Sequence, residues 1–161
     1  MMLLSFFSVS LECTYRVFAL RVAWIDSRTF RIPNTHLVLL IQLDILYIVL
    51  FRPWHRLELV AISMICVAIF YLTLIAIAIA IFDKPSMGMG DVKLLMVLSG
   101  HLVLTHDQSW PFLIARVVNL QIVSWSFASL YALAMWICHK RSRYAFAPSI
   151  FLALNITPLI G

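Results

Sequence analysis

Glycine is scarce in this chain: the 161 residues include four, and two of them fall in the single stretch Met87-Gly88-Met89-Gly90-Asp91-Val92-Lys93. Charge is scarce as well, at 12%, where an ordinary soluble domain carries about a quarter. Hydrophobic residues make up 63% and the mean hydropathy is +1.00, which excludes a soluble globular domain and points to an integral membrane protein. Long polar loops are missing, so the expectation is one membrane-embedded domain over residues 1–161 with no added soluble domain. Cys13, Cys66 and Cys138 form neither a C-x-x-C pair nor a Cys/His cluster at metal-ligand spacing, which argues against a disulfide framework or a zinc site. They are read as small apolar packers. The apolar N-terminus lacks a basic n-region, an A-x-A cleavage site and a lipobox before Cys13, so no removable signal peptide is expected. The net charge of +5 comes without an aromatic-basic patch, and nucleic acid is not expected as a partner.

What the chain does have is apolar runs. Charges and prolines divide it into six candidate spanning helices of about 20 residues, near 3–25, 36–51, 57–82, 92–106, 111–138 and 144–160. The fold class expected is all-α, a polytopic bundle of about six transmembrane helices. The third run is the plainest. The second carries Gln42 and Asp44, and the first carries Glu12, Arg16 and Arg21, of which Glu12 and Arg16 stand at i and i+4 and can pair on one face. Six crossings place alternate loops on opposite sides. Arg28, Arg31, Lys84, Lys93, Lys140, Arg141 and Arg143 fall on one side, with Arg52 and Arg56 on the other. The positive-inside rule makes the first side cytoplasmic and turns both termini outward. Asp26, at the end of the first run, and Asp91, at the start of the fourth, then share the cytoplasmic boundary.

Each aspartate also has a plainer reading. Asp91 follows Gly90 where a loop enters a helix, and Asp is a good N-cap. Asp26 faces the unfavourable end of a helix dipole, so capping does not explain it, although a solvated charge paired with Arg28 does. Taken together they allow chemistry. Two carboxylates close together in a partly desolvated site do not both ionise easily, so one keeps a proton while the other stays anionic. The anion draws a proton from water, and the neutral partner polarises a peptide carbonyl. That is peptide hydrolysis without a covalent intermediate, and it calls for no cofactor or metal. Gly88 and Gly90 would let an extended substrate strand approach the acid.

The order Asp26-Ser27-Arg28-Thr29-Phe30-Arg31-Ile32-Pro33-Asn34, then Gly88-Met89-Gly90-Asp91-Val92-Lys93, then the run "YAFAPSIFLAL" resembles the type IV prepilin peptidases, membrane aspartyl proteases of the G-x-G-D class. The resemblance implies that Asp26 and Asp91 are the catalytic pair, with Gly88, Gly90, Lys93, Arg28, Pro33, Asn34 and Pro148 binding substrate or supporting the site. It implies cleavage at the cytoplasmic face of a bacterial inner membrane, where charge placed both aspartates independently. The implied substrate is a prepilin or pilin-like protein with a short basic leader, cut just before its apolar helix. Larger members carry an N-terminal methylating part with paired C-x-x-C motifs. Nothing here matches that part, and the chain is similar to the short, peptidase-only type that serves Flp/Tad-type pili and related secretion machinery.

Other residues have competing uses. Lys93 either steadies an anionic aspartate or meets an acidic residue of the substrate, or else it anchors the helix at the membrane surface. Pro33-Asn34 is expected to end the loop and cap the second helix, and Pro148 and Pro158 to bend the last one. Counting along the helices puts Asp44 roughly 12 Å and Arg116 about 8 Å from the outer boundary, which predicts a neutralising pair. His101 and His106 are expected to be satisfied or boundary histidines. Ser124, Ser126 and Ser129 suit helix packing, with no base in evident reach. Two rivals stay open: another G-x-G-D protease, such as a preflagellin peptidase, or a non-catalytic membrane subunit, a transporter or assembly factor, in which Asp44 and Arg116 line a path.

Overall fold

A computed structural model describes residues 2–51, 56–83, 87–106, 109–139 and 145–160. Arg52, Lys84, Lys140, Arg141 and Arg143, which bear on the charge count of the loops, lie outside the described residues, as do the side chains of Cys138 and Pro158. The six expected helices are present: α1 (Met2–Thr29), α2 (Asn34–Phe51), α3 (Arg56–Phe82), α4 (Met89–Thr105), α5 (Trp110–His139) and α6 (Ala147–Ile160). α2, α3 and the Trp110–Met135 part of α5 are long and apolar enough to cross a membrane.

α4 is the centre of the bundle. Val92, Leu94, Leu95, Leu98, Leu102 and Leu104 are fully buried, and Ser99 and His101 are buried with them, so beyond its first turn the helix is enclosed by its neighbours. α2, α3, α5 and α6 pack on it, and α1 closes against α2 and α6. Gly100 explains the close approach of α3: a Cβ there would lie 3.1 Å from Met64 Cγ and 3.1 Å from Val60 Cγ1. Small residues at such contacts let two helix backbones gain dispersion contacts that lipid does not supply. α3, α4 and α5 are joined by polar links as well. Trp125 Nε1 donates to Tyr71 Oη at 2.8 Å, Tyr71 Oη to Gln121 Oε1 at 2.7 Å, and Gln121 Nε2 to Ser99 Oγ at 3.2 Å.

The outer surfaces are apolar, as lipid contact requires: Phe70, Ile81 and Phe82 of α3 and Phe112 and Ile114 of α5 are exposed. Cys13 and Cys66, read as small apolar packers, are exposed too and face outward with this apolar surface. On α1, Glu12 and Arg16 pair as expected, with Glu12 Oε1 2.9 Å from Arg16 Nη2. The expected pairing of Asp44 with Arg116 is corrected. Asp44 Oδ1 lies 2.7 Å from His101 Nδ1, because α2 packs against α4 and turns its carboxylate to the ring.

Candidate active site

One end of the bundle gathers the C-terminal turn of α1 and the N-terminal turns of α2, α4 and α6. α1 runs three residues past Asp26 and ends at Phe30, whose φ of 54° is the left-handed turn that closes a helix. Asp26 therefore lies inside the last helical turn, 4% exposed. Ser27 and Arg28 are exposed, and the Arg28 guanidinium sits 4.4 Å over the Trp24 ring. The solvated Asp26–Arg28 pair is thus not formed. Asp26 instead meets the start of α6, where Ala147 N–H donates to Asp26 Oδ2 at 3.0 Å and the Phe146 N–H also favours the anion. These are free donors of a helix N-terminus, aligned with the positive end of its dipole. Pro148 follows in the first turn, where a missing N–H costs nothing, so it starts α6 and does not bend it. Phe146 is held by its ring contact with Trp125, centroids 5.3 Å apart.

Asp91 is not the N-cap of α4. Gly88 is, with φ −74° and ψ 141°, and Asp91 is the third helical residue, its N–H donating to Gly88 O at 3.1 Å. A Cβ on Gly88 would lie 3.1 Å from Asp91 Oδ2. Gly90 has a packing reason: a Cβ there would come within 3.2 Å of Ile32 Cβ, in the α1–α2 connection. α2 begins at Asn34, and the first turn bond runs from His36 N–H to Pro33 O at 3.1 Å. The Asn34 side chain is used elsewhere, accepting from Lys93 Nζ at 3.3 Å, which ties the starts of α2 and α4 together.

The electrostatics separate the two carboxyls. Burial pushes Asp91 up to about 7, the charge of Asp26 adds to this, and the Gly88 N–H opposes it. Burial also raises Asp26, but the Ala147 and Phe146 N–H groups pull the other way by bonding its anion. Among the described residues, no group of three or more His, Cys, Asp or Glu side chains is arranged to hold a metal ion.

A family model described as the type IV leader peptidase family matches residues 13–157. The chain belongs to that family. It is thereby a membrane protease of the leader peptidase kind, and the match spans both aspartates and the start of α6. Searches among curated proteins and among solved structures gave no match. Of the residues expected at the site of this leader peptidase, the structure brings Asp26, Asp91, Gly88, Gly90, Pro33, Asn34, Lys93 and Pro148 to one end, with Arg28 exposed beside them. Sequence reasoning missed the backbone of Phe146 and Ala147, because a peptide N–H carries no residue signature. His101 was expected to be a satisfied or boundary histidine and is a satisfied one, but its partners Asp44 and Glu12 were not foreseen.

Proposed function

We propose that the chain is an aspartic endopeptidase that removes the basic leader from prepilin or pilin-like precursors at the cytoplasmic face of a bacterial inner membrane, with Asp26 as the base and Asp91 as the acid. The observation that carries this reading is the unequal pair. Asp26 accepts the Ala147 N–H bond at the start of α6, whereas Asp91 is pushed up to about 7, chiefly by burial and in part by the charge of Asp26. Near neutral pH, Asp26 is the anion and Asp91 holds the shared proton.

The Asp26 carboxylate takes a proton from a water molecule as its oxygen attacks the scissile carbonyl carbon. Asp91 gives its proton to the carbonyl oxygen, which yields a neutral gem-diol and an ionised Asp91. On collapse, Asp91 recovers a proton from one diol hydroxyl, Asp26 passes its proton to the departing nitrogen, and the C–N bond breaks. Both carboxyls return to their starting state. Gly88, without a side chain beside Asp91, leaves room for the extended substrate. Lys93 and Asn34, with Pro33 before them, hold the starts of α4 and α2 at the correct spacing. Arg28 faces outward beside the pair. The family match to a leader peptidase favours this reading over the transporter.

The test is processing of a prepilin co-expressed with each variant, read by gel shift and by the N-terminus of the product. Asp26→Asn and Asp91→Asn are each expected to lower cleavage by at least about 100-fold while the protein still accumulates in the membrane. Substantial processing by either variant removes that residue from the pair.

A further inference from the structure

A second polar cluster lies within the bundle, away from the aspartate pair. His101 of α4 is 3% exposed, with Nδ1 2.7 Å from Asp44 Oδ1 of α2 and Nε2 3.1 Å from Glu12 Oε2 of α1. Arg16 Nε donates to the other Glu12 oxygen at 3.0 Å, and Arg16 Nη1 reaches Asn155 Oδ1 of α6 at 2.9 Å. The Tyr15 ring stacks on the imidazole at 3.5 Å between centroids and 6° between planes. An ionised carboxylate oxygen only accepts, so a ring nitrogen facing one must carry a hydrogen. Two carboxylates facing the two ring nitrogens call for the imidazolium. With Arg16 the cluster then holds two positive and two negative charges, the neutral balance that an apolar interior demands.

The helices joined here matter more than the charge count. Asp26 is on α1 and Asp91 on α4, yet these two helices pack chiefly through α2 and α6. The Glu12–His101 bond links them directly. At 1.5 Å per residue, Glu12 lies about 21 Å along α1 from Asp26, and His101 about 15 Å along α4 from Asp91. Both are rigid helical spans, so a shift at the cluster is carried to the pair. The Arg16–Asn155 bond brings in α6, whose first turn binds Asp26.

We propose that His101, as an imidazolium between Glu12 and Asp44, is a positioning residue that fixes α1 against α4 and thereby sets the approach of Asp26 to Asp91. This rests on reading those two aspartates as the catalytic pair. Catalysis by an acid and a base on separate helices tolerates little misplacement, since an error of about 1 Å costs up to about 100-fold in rate.

Two measurements on the full chain in lipid nanodiscs test the proposal. Spin labels on cysteines replacing the exposed Ser27 and Met89, with the three native cysteines replaced, report the distance between the two helix ends by electron paramagnetic resonance. A narrow distribution is expected with His101 present and a broadened or shifted one in His101→Gln. In the unlabelled protein, His101→Gln is expected to lower kcat for a pilin-like substrate by about 10- to 100-fold with KM nearly unchanged, because no substrate contact is removed. A merely structural role would lower the yield of folded protein without changing kcat per folded molecule. Where His101→Gln does not accumulate, Glu12→Gln is measured instead, since it cuts the α1 link and leaves the Asp44 contact in place. An unchanged label distance and an unchanged kcat in the accumulating variant overturn the proposal. If no pilin-like substrate is cleaved by the unaltered chain, yet the labels still move apart in His101→Gln, the peptidase reading fails and the positioning of the aspartates stands.

Discussion

Asp26 and Asp91 are the same residue type made different by backbone. One accepts an N–H bond from a neighbouring helix, and the other is buried at its own helix start while facing the first residue's charge. A pH profile follows. Asp91 must be protonated to act as the acid, so kcat is expected to fall as pH rises through about 7, the value to which burial and Asp26 push it. On the acid side activity is lost as Asp26 takes up a proton. An alkaline limb far above pH 7, measured on purified enzyme with a prepilin substrate, would contradict the assignment of Asp91. The aspartates themselves were legible in the sequence, since ionisable groups stand out in a chain with 12% charged residues. The division of labour proposed for them was not, because it depends on peptide groups that every residue carries.

The element that sets this division is α6. Ala147 is its first residue, a position where proline is well tolerated by a helix, so Ala147→Pro removes the N–H that binds Asp26 while leaving the helix able to form. A hydrogen bond to a charged group is worth about 1.5–3 kcal/mol, and cleavage is expected to drop on the order of ten-fold or more. Ala147→Gly keeps the N–H and is expected to retain activity. Equal activity of the two variants in the processing assay would show that the bond does not matter. Helix number and order were legible from apolar runs bounded by charge and proline, but two ends moved. α1 continues past residue 25 to Thr29 and α4 begins at Met89, which moves both aspartates from the helix boundaries into terminal helical turns. Hydropathy ends a run at the first polar residue. Backbone hydrogen bonding does not, and it stops only where Phe30 turns left-handed or Gly88 opens the next helix.

In the whole molecule, α4 is surrounded, and α1 reaches it mainly by way of its neighbours. The composition and alternating topology already led to the expectation that Asp26 and Asp91 share one boundary of the bundle. Which buried charges met inside was decided by rotation about the helix axes, and a length count does not contain that information. For this reason Asp44 found His101, and Glu12 joined Arg16 to the same ring. Coupling between the two aspartates is likewise a property of the assembled bundle, because their helices come from distant parts of the chain. It is measured most directly by following the Asp91 carboxyl through a carbon-13 pH titration of the protein in nanodiscs, with and without Asp26→Asn. The expected midpoint is near 7 in the unaltered chain, falling when Asp26 loses its charge. An Asp91 that titrates in the ordinary carboxylate range, about pH 4, and ignores Asp26→Asn would mean that the two carboxyls do not form one site.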